Sequence, residues 1–406
     1  MEWKEVRLGD VVEIVNGFAF KSKAFTLEGI PVIKIKNIKA GKVILNDLDY
    51  ISTSDINPKY TKIRSSDILI TMTGNRMDGS PETWVGKVSL FRHQGDFYLN
   101  QRVSALRLID DSVDNNFLSY YLSSWQSQLY FALNSNSSGG QANITPAVVQ
   151  EYRLMVPELE TQRSIASILS SLDRKIELNN KINADLEEMA QAIFKNWFVD
   201  FEPFKDGKFV DSELGMIPEG WKVGSPYEYV KVVYGAPYKS AKFNDNGEGL
   251  PLIRIRDLKD CNPQFYTPEI LPQTEYVNKG DIVAGMDAEF VPHIWKGNIG
   301  LLNQRVCKLM PQQTSISNLF VLYLMKPELE FVQSYKTGTT VSHLGKADID
   351  KFVVVLPPLE VVEECSKILD SILQRIRNIS AESRNLSLLR DTLLPRLMSG
   401  ELEVPE

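Results

Sequence analysis

Two long stretches of the chain place apolar residues at alternating spacings of four and three. The first, residues 158–198, contains no proline or glycine, and its apolar positions share one face of a helix. The same register returns 200 residues later, near the end of the chain. This spacing is typical of a coiled coil. The predicted helix-pair seam consists of Ile165, Leu169, Leu172, Ile176, Leu186, Ile193, Leu369, Ile372, Ile376, Ile379, Leu386 and Leu393.

Polar residues interrupt this seam at Asn179 and Asn183 in the first stretch and at Ser383 and Arg390 in the second. An amphipathic helix folded against its own domain is the alternative interpretation. A 41-residue helix is about 60 Å long, at roughly 1.5 Å per residue, and would overhang a domain of 150 residues. Length and recurrence therefore favour pairing of the two helices. Seam asparagines are a common device for fixing the register of such a pair.

The rest of the chain has the short, mixed pattern of an α/β domain. Residues 30–38 and 250–258 alternate apolar and polar residues at period two, which predicts strands that present Lys34, Lys36, Arg254 and Arg256 on one face. Residues 67–74 and 281–288 read as short buried strands that open into loops, and residues 117–133 have helical spacing.

These blocks occur twice and in the same order. Residues 302–306 repeat the sequence Leu99-Asn100-Gln101-Arg102-Val103. Residues 29–39 (GIPVIKIKNIK) likewise match residues 249–259 (GLPLIRIRDLK). Two copies of about half the chain each indicate a duplicated fold with pseudo-twofold symmetry, not an array of short repeats. Twofold proteins commonly bind twofold partners such as DNA duplexes.

The pattern predicts an α+β protein with two pseudo-symmetric mixed α/β domains, separated by two long helices that pair as an antiparallel coiled coil. Chain connectivity requires the antiparallel arrangement, because the first helix leaves domain one and the second leaves domain two. The predicted segments are domain one (1–155), a central helix (156–200), a linker (201–220), domain two (221–355) and a C-terminal helix (356–406).

The net charge of −7 disfavours nucleic-acid binding by the chain as a whole, but the charge is unevenly distributed. Residues 1–150 carry 16 Lys and Arg against 15 Asp and Glu, and residues 215–355 carry 15 against 15. The acidic excess lies in 151–214 and 356–406, where the helices are predicted. Near-neutral domains can still present a basic face. Solvated surface lysines remain the alternative explanation for each basic cluster.

Composition points to a cytoplasmic protein without cofactor or metal. Three widely spaced cysteines favour a reducing compartment over a disulfide or zinc scaffold. No secretion signal or membrane span is expected, because the chain has no basic start followed by an apolar stretch and no 18-residue apolar run. The three histidines, at 93, 293 and 343, lack metal-ligand spacing.

No catalytic set emerges from the sequence. Residues 57–60 (NPKY) and 262–265 (NPQF) are similar to the NPPY/F motif of amino-methyltransferases, but neither has the second proline. No glycine-rich loop follows a strand to bind adenosylmethionine, and the glycine-bearing loops do not match a P-loop.

Several stretches of the chain together resemble the specificity (S) subunit of type I restriction–modification systems. Val156-Pro157, Leu159-Glu160 and Gln162-Arg163 end domain one, FKNWFVDFEPF closes the central helix, and SELGMIPEGW leads into domain two. The C-terminal helix starts at LPPLE and ends in LLPRLMSGEL. The resemblance covers essentially the full chain. The second copy departs from it at residues 361–363, where Val-Val-Glu stands in place of Thr-Gln-Arg, and at Arg390.

The resemblance implies a DNA-binding, non-catalytic subunit of a larger enzyme. Each domain would be a target-recognition domain that reads one half of a bipartite site in double-stranded DNA. The helices would set the spacing between half-sites and dock two methyltransferase (M) subunits, with restriction (R) subunits joining through the complex. A coiled-coil adaptor that never touches DNA and a DNA methyltransferase acting alone are the alternatives.

Candidate DNA-contacting residues are polar or basic residues in loops at the ends of matched strands. Arg76, Gln141 and His293 differ between the copies and are the better candidates for reading bases, whereas the repeated Gln-Arg pair favours scaffold or phosphate contact. Lys34 and Lys36 are expected to contact phosphates. The full set is Lys21, Lys34, Lys36, Asn37, Arg76, Lys87, Gln101, Arg102, Gln141 and Asn143 in domain one, and Lys239, Arg254, Arg256, His293, Lys296, Gln304, Arg305, Thr339, Thr340 and His343 in domain two.

Overall fold

A computed structural model describes residues 3–138, 140–336 and 343–404. By its internal contacts the chain divides into two units, 1–174 with 386–406, and 175–385. Each unit holds one α/β domain together with part of each long helix. Within the described ranges, no helix is both long and apolar enough to cross a membrane.

The two long helices predicted from the apolar spacing are confirmed. The central helix is Leu159–Phe198 and the C-terminal helix is Leu359–Met398, and each has 40 residues. Pro157 lies two residues before the first helix and Pro358 directly before the second, and each helix carries a glutamate in its first turn, Glu160 and Glu360 respectively. A carboxylate there interacts favourably with the positive end of the helix dipole.

The helices run antiparallel, as their polar contacts in each unit show. In the first unit, Arg390 Nη1 lies 2.8 Å from Asp173 Oδ1. In the second, Asn179 Nδ2 donates to Glu382 Oε2 at 2.8 Å, and Asn183 Nδ2 donates to Ser380 Oγ at 3.1 Å. Residue numbers rise along the central helix as they fall along its partner. Asn179, Asn183 and Arg390, which interrupt the seam, therefore have partners on the other helix.

The ends of both helices pack into the domain cores. Ile165, Leu169 and Leu397 are buried in the core of the first unit, and Phe194 and Leu369 are buried in that of the second. The ends of the helices therefore pack against the domains, and the middle parts of the helices pair with each other. Among predicted seam residues, Ile165, Leu169, Leu369, Ile372, Ile376 and Ile379 are buried, and Leu172, Ile176, Leu186, Ile193, Leu386 and Leu393 are half-buried.

Replacing Arg390 by leucine should destabilise the first unit. Asp173 accepts hydrogen bonds from Arg390 and from the Tyr120 hydroxyl, and its side chain is only 15% exposed. Removing the guanidinium leaves a nearly buried carboxylate without its cation. We expect a loss of about 1–3 kcal/mol, less than for a fully buried pair because Arg390 is partly exposed. Urea denaturation measures the change.

The double variant Asp173→Leu/Arg390→Leu is the matched control for this change. It removes both charges, so it should recover much of the lost stability. An Arg390→Leu protein as stable as the parent would show that the ion pair does not hold the C-terminal helix.

Domain one is built on a four-stranded antiparallel sheet beside a second, mixed sheet. The N-terminal strand Lys4–Arg7 pairs with Arg153–Val156, which leads directly into the central helix. In spatial order, the first sheet is Val88–Leu90, Ile68–Thr71, Val103–Leu108 and Val12–Asn16; the second is Tyr98–Leu99, Ile30–Ile33, Asp49–Ile51 and Phe25–Thr26. The smaller elements are strands Ile38–Lys39, Lys42–Val43, Thr73–Gly74, Asn136–Ser138 and Gln141–Asn143, and helices Leu8–Val11, Asn115–Ser123, Trp125–Leu133 and Pro146–Gln150.

Domain two repeats the strand order of the first sheet, and its second sheet differs in one edge strand. Strand Lys222–Gly224 pairs with Val354–Leu356, which leads into the C-terminal helix. Its first sheet is Val230–Tyr234, Val306–Pro311, Ile282–Gly285 and Pro292–Ile294; its second is Tyr266–Thr267, Leu250–Ile253, Gly300–Leu302 and Tyr276–Val277. Its helices are Asn318–Lys336 and Lys346–Ile349, and the predicted linker contains the hairpin Phe209–Ser212 and Gly215–Pro218. The buried strands predicted from the sequence are confirmed in both copies.

The two predicted period-two strands are shorter than expected. Strand Ile30–Ile33 ends at a 3₁₀ turn, Ile35–Asn37, because the Asn37 side chain accepts from the backbone N–H of Lys34 at 3.0 Å. Asp257 closes the matching turn in domain two by accepting from the Arg254 N–H at 3.0 Å. The basic residues after these strands therefore lie on turns, and the prediction of one basic strand face is wrong.

Candidate nucleic-acid interface

The repeated turn stands at the same place in both domains. In domain one it joins strands Tyr98–Leu99 and Val103–Leu108, and the Val103 N–H donates to Asn100 O at 2.9 Å. Gln101 and Arg102 are exposed at its tip, as are Gln304 and Arg305 in domain two. The turn thus presents one amide and one guanidinium from each domain.

In domain one the turn meets a polar pair on a neighbouring sheet. Arg102 Nη1 lies 3.5 Å from Gln141 Oε1. Thr73 Oγ1 donates to Asn143 Oδ1 at 2.8 Å, and these two residues are partners in the pairing of Thr73–Gly74 with Gln141–Asn143. Three predicted site residues, Arg102, Gln141 and Asn143, are therefore brought together.

Domain two builds the same arrangement from different side chains. Arg305 Nε lies 3.3 Å from Asp287 Oδ2, and His343 Nδ1 lies 2.7 Å from Asp287 Oδ1. Arg305 and His343 are about half exposed, at 55% and 50%, so both remain accessible to a ligand. Thr339 and Thr340 lie outside the described residues.

Matching backbone bonds establish that the two arrangements are equivalent. Met72 N–H donates to Arg102 O, and Met286 N–H donates to Arg305 O, both at 2.9 Å. Positions 73 and 143 in domain one therefore correspond to 287 and 343 in domain two. We call these residues the recognition clusters: Thr73, Arg102, Gln141 and Asn143 in domain one, and Asp287, Arg305 and His343 in domain two.

The sequence prediction missed Thr73 and Asp287. Each follows a methionine at the end of a matched buried strand, as Met72-Thr73 and Met286-Asp287. That alignment marks the pair as equivalent positions with different chemistry. The arginine that both domains share lies beside the residues that differ between them. This arrangement is expected when one residue contacts phosphate in any sequence and its neighbours read the bases.

Arg76 lies on an exposed loop that follows strand Thr73–Gly74. The Trp84 indole N–H donates to Gly79 O at 2.8 Å and anchors this loop. Within the described ranges, Arg76 has no carboxylate partner. Its guanidinium is therefore free to contact a base edge or a phosphate.

Replacing Arg76 by alanine should weaken binding to a specific duplex by roughly 5–150-fold and relax the preference at one position of the first half-site. Competition gel shifts with half-site variants measure both effects. Unchanged affinity together with unchanged preference would remove Arg76 from the interface.

Two predicted contacts are too buried to reach DNA. Asn37 is 1% exposed and its amide donates to the carbonyls of Ile44 and Asn46. Lys87 is buried, its ammonium donates to the Pro81 carbonyl, and burial lowers its pKa to about 8. Both assignments as DNA contacts are wrong in this structure, since each side chain supports its own loop.

Lys34 and Lys36 are already paired within domain one. Lys34 Nζ lies 2.9 Å from Asp49 Oδ2 and stacks over the Phe25 ring, with 3.6 Å to the centroid. Lys36 Nζ lies 2.8 Å from Asp47, and that hydrogen bond raises the pKa of Lys36. The contact of Lys34 and Lys36 with phosphate stays a prediction. It would require Asp49 and Asp47 to share the lysine ammonium groups with the phosphate.

Arg254 and Arg256, which match Lys34 and Lys36 in domain two, differ in exposure. Arg254 is held against Asp257 at 3.3 Å and over the Phe265 ring at 4.3 Å, with 18% of its side chain exposed. Arg256 is exposed. Arg256 is therefore the better candidate for a phosphate contact.

Two further candidates in domain two face the central helix. Lys296 forms an ion pair with Glu187 of that helix. His293 lines the adjoining cavity, and burial lowers its pKa. The ion pair accounts for Lys296 without DNA, whereas a base contact by His293 stays a prediction.

Lys21 and Lys239 occupy matching positions ahead of the 3₁₀ turns Ser22–Ala24 and Ser240–Lys242, and both are exposed. Among the described residues, no group of three or more His, Cys, Asp or Glu could hold a metal ion. The recognition clusters offer hydrogen-bonding groups and charges, which are suited to contact with base edges and phosphates.

The chain is similar to one family of known proteins over most of its length. A family model described as type I restriction modification DNA specificity domain matches residues 1–188 and 218–386. The putative MjaX specificity subunit of Methanocaldococcus jannaschii is 25% identical over 423 residues, covering 99% of this chain and 94% of the relative. The HindI specificity subunit of Haemophilus influenzae is 24% identical and covers 99% of this chain and all of the relative.

A solved structure shares the fold. The S subunit of a type I restriction–modification system from M. genitalium superposes with a TM-score of 0.53 at 16% identity. The match covers 98% of this chain and 96% of that one.

Proposed function

Because the chain belongs to the family of type I restriction–modification DNA specificity subunits, we propose that it selects the DNA sequence on which a larger complex acts. Each α/β domain reads one half of a bipartite site in double-stranded DNA. The chain itself performs no methyl transfer or cleavage, and it works from the cytoplasm as one subunit of that complex.

The observation that carries this proposal is the pair of recognition clusters. A common arginine stands beside Thr73 and Asn143 in one domain and beside Asp287 and His343 in the other. Arginine can hold a phosphate in any sequence, whereas carboxylate, amide and imidazole groups discriminate between base edges. Two such clusters of different composition are suited to two different half-sites.

The long helices supply surface for protein partners. Leu178, Met189, Ile368, Leu388 and Leu389 are exposed apolar residues on these helices, between 43% and 69% exposed. The helical segments are also acidic, which disfavours phosphate contact. We propose that two methyltransferase subunits dock there and that restriction subunits join through them.

Selection from a random duplex library tests this function. The chain is assembled with methyltransferase subunits, bound DNA is separated by gel shift, and the selected pool is sequenced. We expect a split consensus of two defined segments with a gap of fixed length. The chain alone should show no methylation or cleavage.

The outcomes separate the alternatives. A pool that stays random would favour a coiled-coil adaptor that does not read DNA. Methylation by the purified chain without partners would favour an enzyme. A single undivided consensus would show that only one domain reads sequence.

A further inference from the structure

Domain one contains a cage of aromatic rings that no recognition cluster uses. The rings of Phe18, Phe20 and Tyr60 have centroids 4.8–5.1 Å apart. They line an open cavity of about 390 Å³. All three side chains are half-buried, so a ligand in the cavity can touch the rings.

The cage adjoins the repeated turn. Phe18 N–H donates to Leu99 O at 2.8 Å, and Gln101 N–H donates to Phe18 O at 2.9 Å. The same turn carries Arg102 into the recognition cluster. A DNA strand that contacts Arg102 therefore passes close to the cage.

Domain two keeps this backbone but only one of the three rings. Gln304 N–H donates to Ala236 O at 3.0 Å, so Ala236 stands where domain one has Phe18. Tyr238 corresponds to Phe20, is buried, and bonds through its hydroxyl to Thr274 Oγ1 at 3.0 Å. Thr274 corresponds to Tyr60, since Leu302 N–H bonds to the next carbonyl, Glu275 O, as Leu99 N–H bonds to Thr61 O.

The rim of the cage has the polar groups of a nucleotide site. Lys21 and Lys23 line it and are exposed, and within the described ranges neither has a carboxylate partner. Asp55 accepts one hydrogen bond, from the Tyr60 hydroxyl at 3.2 Å, which leaves acceptor capacity on its carboxylate. An amino group on a planar ring would complement Asp55, and a flanking phosphate would complement the lysines.

We propose that this cage accepts one base, unstacked from the first half-site, and that the base carries an exocyclic amino group. The inference rests on the proposed function and adds an asymmetry to it: domain one distorts its half-site, while domain two reads an intact duplex. Stacking on aromatic rings tolerates any base, and Asp55 supplies the preference for an amino donor.

Mismatched duplexes test the proposal. Proteins that extrude a base bind more tightly when that base is already unpaired, because less stacking and pairing must be broken. The partner base at each position of the selected site is replaced in turn, and affinity is measured by gel shift with the methyltransferase complex. We expect one position in the first half-site where a mismatch tightens binding by roughly tenfold.

Variants that copy domain two connect this gain to the cage. Phe18→Ala reproduces Ala236 and Tyr60→Thr reproduces Thr274, both on a backbone that accepts these residues. Each should abolish the mismatch gain. Trp125→Ala is the matched control, since Trp125 is an aromatic residue of the same domain that is 56% exposed and lies outside the cage. It should leave the gain intact.

The outcomes are distinct. Methyltransferases extrude their own target base. A gain in affinity that appears in both half-sites and survives Phe18→Ala is therefore due to the methyltransferase subunits. If the scan of mismatches shows only such gains, the cage proposal is overturned. Binding of free deoxyadenosine monophosphate to the cage that leaves the affinity for DNA unchanged also overturns it, because the cage would then hold a free nucleotide and not a base of the DNA. Sequence-selective binding without any mismatch gain defeats this inference alone, whereas loss of all selectivity defeats the proposed function as well.

Discussion

Replacing Asp287 and His343 together by threonine and asparagine is expected to change the bases that the second half-site requires. These residues become copies of Thr73 and Asn143, which occupy the equivalent places in domain one. A carboxylate accepts from base amino groups, and asparagine binds adenine with both a donor and an acceptor. Each lost or gained base contact is worth about 1–3 kcal/mol, so one or more positions should change preference by roughly 5–150-fold.

Sequencing of DNA selected by the parent and variant complexes measures this change. The first half-site is the internal control, because domain one is untouched. Arg305 also stays in place, so affinity for random duplex should hold. If the second half-site is unchanged, the cluster is a structural hydrogen-bond network and the reading groups lie elsewhere in domain two.

Lengthening both long helices by one heptad is expected to widen the gap between the half-sites. Insertions after Asn180 and after Ser380 fall in the polar middle of the antiparallel pair, beside the Asn183–Ser380 bond. Seven residues preserve the seam and add roughly 10 Å of helix, at about 1.5 Å per residue. At roughly 3.4 Å per base pair, the preferred gap should grow by about three pairs.

The measurement is again the selected consensus, read for its gap. A four-residue insertion at the same two places is the control, since it rotates the apolar face away from its partner and should weaken assembly. A folded heptad variant that keeps the original gap would show that the partner subunits, and not the helices, fix the spacing.

The long helices were predictable because their pattern extends over many turns. Apolar residues such as Ile165 and Leu369 recur at one period for about 40 residues, and the duplication repeats the evidence. The two roles of each helix were less predictable. Packing of Leu397 into a domain core and pairing of Asn183 with Ser380 use the same periodicity.

The local errors have single-residue causes. One side-chain hydrogen bond from Asn37, and another from Asp257, turns an apparent strand into a 3₁₀ turn. Lys87 looks like a surface lysine in the sequence, but its ammonium reaches the Pro81 carbonyl inside a loop. Such contacts form only when the backbone brings the two residues together. The spacing of apolar residues along the sequence does not encode that backbone geometry.

The recognition clusters were predicted in part. Arg102, Gln141 and Asn143 were selected as polar residues in matched loops, and the structure brings them together. Thr73 was missed because a threonine at the end of a buried strand reads as part of the strand. Tyr60 was noted only within an Asn-Pro tetrapeptide, since its neighbours Phe18 and Phe20 are some 40 residues away.

The first unit includes the last residues of the chain, and this has a consequence during synthesis. Leu397, Met398 and Val404 are buried in the same core as Leu8 and Ile165. At roughly 5–20 residues per second, a ribosome that has completed residue 174 needs about 10–40 s more to deliver residue 386. Until then the first unit exposes the apolar surface that Leu397, Met398 and Val404 cover in the folded chain. A premature stop codon ahead of residue 386 would therefore leave the first unit open to chaperones and proteases.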